Sequence, residues 1–128
     1  MNKQEVYDRV LIHLRTQRVK SIDPEIPGTG CAYRGIEGRA CAIGCLIPDA
    51  LYNEGLEGRS AGDLPYELYE AIGLDRGEHA SFLTGLQKLH DEYMPREIGE
   101  PMLLWELRML ATAAYYGLTY IPNLGTHP

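Results

Sequence analysis

The chain has 128 residues, 45% hydrophobic and 23% charged, so it is long enough to bury a core and too apolar to remain disordered. Its 18 acidic and 12 basic residues give a net charge of −6, which disfavours direct nucleic-acid binding because contacts to phosphates depend on Lys and Arg. No apolar run approaches the roughly 20 residues that span a bilayer, and the polar N-terminus lacks the apolar stretch of a signal peptide.

The first predicted element is a helix from Lys3 to about Val19. Asn2 can cap this helix, and Glu5 stands at its third position, which makes a weaker relative of the capping box. Residues 21–30 contain two Pro and two Gly, which break both helices and strands, so we expect a linker or a loop inside the domain there.

Residues 31–43 predict a small β-hairpin. Two short extended runs, Cys31 to Arg34 and Arg39 to Ile43, flank the segment Gly35-Ile36-Glu37-Gly38. Glycines on both sides of a short turn allow the positive φ angles that hairpins need. An isolated hairpin is only marginally stable, so we expect it to pack against helices.

The middle of the sequence predicts one short helical segment and two longer helices after the hairpin. Pro48 begins a short helical segment to about Asn53, and residues 54–62, with three Gly, predict a surface loop. Asp63-Leu64-Pro65 opens a helix that ends near Gly73, and a longer helix follows from about Glu78 to Glu92.

The last predicted helix runs from about Pro101 to Tyr116, and Gly117 followed by Leu118 indicates a Schellman ending. A wide apolar stripe along it predicts a central, largely buried helix; its members are Leu103, Leu104, Leu107, Leu110, Ala111 and Ala114. Residues 119–128 are expected to form an extended C-terminal tail. The predicted fold is therefore a single α+β domain over residues 1–128, mostly helical, with about four main helices and one hairpin near residues 31–43.

The most distinctive motif is CAYRGIEGRACAIGCLIPD at residues 31–49, followed by Leu-Gln-x-x-His-Asp at residues 86–91. With these motifs, most of residues 3–93 resembles a family of small uncharacterised proteins of bacteria and their phages. The resemblance implies a phage or prophage origin in a bacterial cell, and it carries no established chemistry. Three cysteines, an odd count, exclude a complete disulfide framework and fit a reducing cytoplasm.

A small cysteine hydrolase or transferase is one alternative function, because Cys41, His90 and a carboxylate follow the order of nucleophile, base and orienting group. Asp91 points about 100° away from His90 on an ideal helix, so we expect the orienting carboxylate to come from elsewhere, such as Asp49. Against this alternative, buried cysteines commonly act as small hydrophobic residues.

A zinc-stapled interaction module is the second alternative. Cys41 and Cys45 have an acceptable ligand spacing, and Cys31 with His90 could complete four ligands. Structural zinc sites usually have two short ligand pairs, whereas this sequence has one. We therefore expect no bound metal and no cofactor.

The leading hypothesis is a non-enzymatic accessory protein that binds a protein of the host or the phage, for example to inhibit a bacterial defence system. Its acidic surface suits either solubility or a basic partner. Aromatic and Arg side chains anchor interfaces, which adds two residues of the hairpin to the candidates. The candidate binding residues are Tyr33, Arg34, Cys41, Asp49, His90 and Asp91.

Overall fold

The computed structural model describes residues 1–26 and 30–126, and in these ranges it contains four α-helices. They are α1 (Lys3–Gln17), α2 (Tyr66–Ala71), α3 (Arg76–Tyr93) and α4 (Leu103–Tyr116). Between α1 and α2 the chain is irregular, with 3₁₀ turns of three residues each at 36–38, 44–46, 49–51, 54–56 and 61–63.

The helix boundaries follow local capping chemistry. Asn2 and Glu5 form a complete capping box at the start of α1, with side chain to backbone distances of 2.9 and 3.1 Å. The Asp75 carboxylate accepts the Glu78 N–H at 2.8 Å, so α3 begins two residues before the sequence prediction. Gly117 adopts a left-handed conformation with φ 68°, which ends α4 as predicted.

The predicted α+β class and its hairpin are wrong, because the described residues contain no β-strand. Two isolated bridges, Ile22 with Cys31 and Arg34 with Ala40, replace the predicted ladder. In this part of the described chain, only the N–H groups of Gly35 and Cys41 donate across the two runs, to the carbonyls of Arg39 and Tyr33. Three others donate to side chains: those of Tyr33 and Arg34 go to the Glu57 carboxylate, and that of Ala40 goes to the side-chain oxygen of Gln17. Glycines permit a turn, but they do not determine where backbone donors bond.

The core forms around α1 and α3, whose inner faces are fully buried. Residues with no exposed surface include Val6, Tyr7, Val10, Leu11, Leu14, Leu83, Leu86 and Cys41. The irregular segment closes over this core, and Gly44 packs against the backbone of Tyr33. The described helices include none that combines the length and apolar character needed to cross a membrane.

The orientation of α4 differs from the prediction. Trp105, Met109 and Ala113 face the core, whereas Leu103 and Leu107 are 64% and 52% exposed. The helix has two apolar faces, and the one that carries the large Trp105 ring is buried. Periodicity identifies an apolar face but does not choose between two of them, so the prediction that the leucine stripe is buried is wrong.

Candidate functional site

Three polar residues of α3 hold the irregular segment in place. Gln87, His90 and Asp91 lie at positions i, i+3 and i+4, so they share one side of the helix. The Gln87 side-chain oxygen accepts the Ile43 N–H at 3.2 Å, and His90 Nε2 accepts the Ser21 N–H at 2.9 Å. These side chains thus satisfy backbone donors that have no secondary-structure partner.

The hydrogen bonds fix the tautomer of His90. A backbone N–H can only donate, so Nε2 must carry a lone pair and the proton must be on Nδ1. Nδ1 then donates to Asp91 Oδ1 at 2.8 Å, and the Gln87 amide donates to the same oxygen at 2.8 Å. The expectation that Asp91 cannot orient the neighbouring ring is therefore wrong, because Nδ1 lies close enough to the backbone for an i, i+1 contact.

Cys41 lies in the core and has no exposed surface. Its Sγ accepts the Gly44 N–H at 3.2 Å, and burial raises the pKa of the thiol far above its usual range. Cys45 donates to the Ala42 carbonyl at 3.1 Å, and burial raises its pKa to about 12. A nucleophilic thiolate needs the opposite environment, so neither position favours thiol catalysis.

The structure brings Cys31, His90 and Asp91 together, with ligand atoms all within 4.8 Å of one another. This set differs from the zinc set considered from the sequence, because Cys41 and Cys45 bond within their own turn. Metal-bound histidines donate their second ring N–H, whereas the second nitrogen of His90 accepts from Ser21. A metal on Nδ1 would therefore require the loss of the Ser21 hydrogen bond.

A groove of about 520 Å³ opens beside this cluster, a volume typical of ligand sites. Its walls come from α3 and from the irregular segment, and they include Cys31, Tyr33, Glu57, Gln87, Asp91 and Glu92.

Glu57 braces the wall of the groove opposite α3. Its two carboxylate oxygens accept the N–H groups of Tyr33 at 2.8 Å and Arg34 at 3.1 Å, and the Tyr52 hydroxyl donates to it at 2.6 Å. The Tyr33 hydroxyl donates to the Arg59 carbonyl at 2.6 Å. Burial raises the pKa of the Tyr33 phenol far above its usual range, so this hydroxyl remains a donor. Both side chains thus fix the shape of the groove.

Arg34 and Asp49 lie outside the groove and pair with each other at 2.8 Å. The guanidinium of Arg34 also donates to the Ile47 carbonyl at 2.7 Å and stacks 5.0 Å from the centre of the Tyr52 ring. The Asp49 side chain is 95% exposed, so it does not act as a buried orienting group for His90. This pair joins the two ends of the motif at residues 31–49.

The structure therefore divides the six sequence-predicted residues among three places. Tyr33 and Asp91 line the groove, Cys41 and His90 are fully buried, and Arg34 pairs with Asp49 at the surface. Sequence reasoning named Cys31 only as a candidate zinc ligand, and it missed the roles of Gln87 and Glu57. The i, i+3, i+4 spacing within Leu-Gln-x-x-His-Asp could have indicated Gln87, whereas nothing local indicated Glu57.

Comparisons with known proteins add no assignment: no family model, curated protein or solved structure matches this chain. Geometry and electrostatics of the groove are therefore the basis for a functional conclusion.

Proposed function

We propose that the chain is a non-enzymatic accessory protein and that its groove receives a basic side chain of a protein partner. The observation that carries this proposal is the Asp91 carboxylate. It lies in the groove wall, its side chain is 31% exposed, and two hydrogen bonds hold Oδ1 in a fixed orientation.

Among the described residues, Asp91 forms no ion pair with Lys or Arg, although Arg59 and Lys88 also line the groove. Its hydrogen-bond donors are the neutral amide of Gln87 and the Nδ1–H of a His90 ring whose other nitrogen is an acceptor. By contrast, Glu92 lies 3.8 Å from Lys88. A half-buried carboxylate without a cation attracts one, and the five-donor guanidinium of Arg is well matched to it.

The reduced reactivity of the buried thiols supports binding over catalysis. Cys41 and Cys45 have raised pKa values, and both nitrogens of His90 serve structural hydrogen bonds. The net charge of −6 favours a basic partner and steers its approach. The resemblance of residues 3–93 to phage and bacterial proteins suggests that this partner belongs to the host or the phage, with inhibition of a defence system as one concrete form.

Affinity purification from bacterial lysates tests the proposal with two matched variants. Asp91→Asn keeps an oxygen that can accept from Gln87 and His90 but removes the charge. Glu67→Gln removes an exposed charge on α2, away from the groove. We expect one stoichiometric protein partner with the wild type and with Glu67→Gln, and binding about tenfold or more weaker with Asp91→Asn, since a charged hydrogen bond is lost.

Two results would contradict this function. Recovery of the bait alone from several hosts, infected and uninfected, would contradict the existence of a protein partner. If Asp91→Asn and the wild type recover equal amounts of the partner and have the same circular dichroism, the groove is not the binding site.

A further inference from the structure

The outer side of α4 is an unbroken apolar surface. Of the residues exposed on this helix, one is charged, Arg108, and it stacks 4.7 Å from the centre of the Tyr93 ring. The other exposed residues form what we term the α4 face: Leu103, Leu104, Leu107, Leu110, Ala111, Ala114 and Tyr115. The remaining charge of the helix, Glu106, points inward to Arg15.

The geometry points to a second copy of this chain as the occupant of the α4 face, with the two α4 helices antiparallel. Leu103, Leu107, Leu110 and Ala114 follow each other at intervals of four, three and four residues. This is the spacing with which two helices pack along a seam. The order of intervals is also the same in both directions, as a self-complementary twofold interface requires.

Antiparallel packing matches a large side chain with a small one at each end of the seam. A twofold axis between Leu107 and Leu110 sets the Leu107 of one copy opposite the Leu110 of the other. The same axis sets Leu103, at the N-terminal end, opposite Ala114, near the C-terminal end. Alternation of large and small residues lets two faces interdigitate, and opposed helix dipoles favour the same direction.

The size of the α4 face agrees with a modest dimer interface. Its four leucines are 45–64% exposed, and Tyr115 is 82% exposed. With these exposures, the area of the α4 face is similar to that of the largest apolar patch on a typical monomer, about 300–600 Å². Two such faces together approach 1,000 Å², roughly the lower end of specific interfaces. We therefore expect reversible dimerisation that depends on concentration.

A lipid surface fits the α4 face less well. Helices that lie on membranes carry a Lys- and Arg-rich polar side, whereas α4 has a single Arg beside the apolar stripe. The negative charge of the protein also opposes binding to anionic lipids. A second copy presents the same uncharged surface and has neither disadvantage.

Sedimentation velocity over a micromolar to millimolar concentration series tests the inference. We expect the wild type to shift from monomer to dimer, and Leu107→Glu, at the centre of the seam, to remain monomeric. Ile98→Glu introduces the same change at a residue that is 69% exposed and lies outside α4, so it should dimerise like the wild type. Ala114→Glu, at the edge of the seam, gives a second monomeric variant should Leu107→Glu lose its helical circular dichroism.

Cysteine pairing tests the direction of packing. In an antiparallel dimer, a mixture of Leu103→Cys and Ala114→Cys chains should form a disulfide between the two new thiols, located by peptide mass mapping. Leu103→Cys alone should not form a disulfide between two copies. In the antiparallel dimer, residue 103 of one copy and residue 103 of the other lie about 16 Å apart along the helix axis.

A wild type that is monomeric at every concentration, or a Leu107→Glu variant that still dimerises, would overturn the inference. Self-linking of Leu103→Cys would overturn the antiparallel arrangement. The α4 face shares no residue with the groove, so failure of the dimer leaves the proposed partner site intact.

Discussion

Gly44 illustrates how one backbone position holds the irregular segment against itself. A methyl group added there would collide with the carbonyl of Tyr33, which is rigid backbone. We predict that Gly44→Ala lowers the free energy of unfolding by about 1–3 kcal/mol, the usual cost of overpacking a close contact. Urea denaturation monitored by circular dichroism measures this change.

Gly85→Ala is the matched control for that substitution. Gly85 lies inside α3, and a methyl group there meets no atom within 4 Å. The same change should therefore raise the free energy of unfolding by about 0.5–1 kcal/mol, because Ala favours a helix over Gly. Equal effects at both glycines would contradict the close approach of Gly44 to Tyr33.

His90 allows a direct test of the hydrogen-bond network. We predict the Nδ1–H tautomer, because Nε2 accepts from Ser21 and Nδ1 donates to Asp91. Long-range ¹H–¹⁵N NMR correlation distinguishes the two ring nitrogens, and the spectrum should be the same with zinc and with a chelator. A protonated Nε2, or a zinc-dependent shift of Nδ1, would contradict the structural role of the ring and favour a metal site.

At the scale of elements, a buried ion pair joins α1, α4 and the residues that follow α4. Arg15, whose side chain is 2% exposed, donates to both carboxylate oxygens of Glu106 at 2.8 and 2.9 Å. It also donates to the carbonyls of Ile121 and Leu124 at 2.8 Å. The Tyr120 hydroxyl donates to the same carboxylate at 2.6 Å.

We predict that Arg15→Met lowers the free energy of unfolding by about 3 kcal/mol, because it leaves Glu106 without its buried partner. Arg9→Met, on an exposed position of α1, is the control and should change stability little. Chemical denaturation compares the two. Similar stabilities would contradict the importance of the ion pair.

The same pair predicts a dependence on pH. Burial acts to raise the pKa of Glu106, but the hydrogen bonds from Arg15 and Tyr120 outweigh it, so the pKa falls below its ordinary value of 4.5. The stabilising contribution is therefore complete above about pH 4.5 and is lost as the pH falls through the lowered folded-state pKa. The stability difference between the wild type and Glu106→Gln should shrink over that acidic range, as thermal denaturation at a series of pH values would measure. A difference independent of pH would contradict the assignment.

At the scale of the whole molecule, stability should be unevenly distributed. The inner faces of α1 and α3 are fully buried, whereas residues 49–63 form short 3₁₀ turns with many exposed side chains. We predict that amides of α1 and α3 exchange with solvent only through global unfolding, and that amides of residues 49–63 exchange through smaller openings. Native-state hydrogen exchange measures both, and uniform protection would contradict this division.

Much of the helical fold could be predicted from the local sequence, whereas the groove and the contacts that form it could not. The Asn2 capping box and the ending at Gly117 depend on neighbours within a few residues, so their signals are visible in the chain. The groove depends on Glu57 accepting from Tyr33 and on His90 accepting from Ser21, 69 residues away. No periodicity encodes such contacts.

The sequence by itself determined where the main helices form, the negative charge, and the leucine stripe of α4. These properties follow from residue type and short spacing. Only the tertiary structure decided that residues 31–43 are not a hairpin, that Cys41 is a packing residue, and that the leucines of α4 face outward. The physical reason is that each backbone donor and each apolar face has several competing partners. Which partner it contacts depends on which distant groups lie nearby in the folded chain.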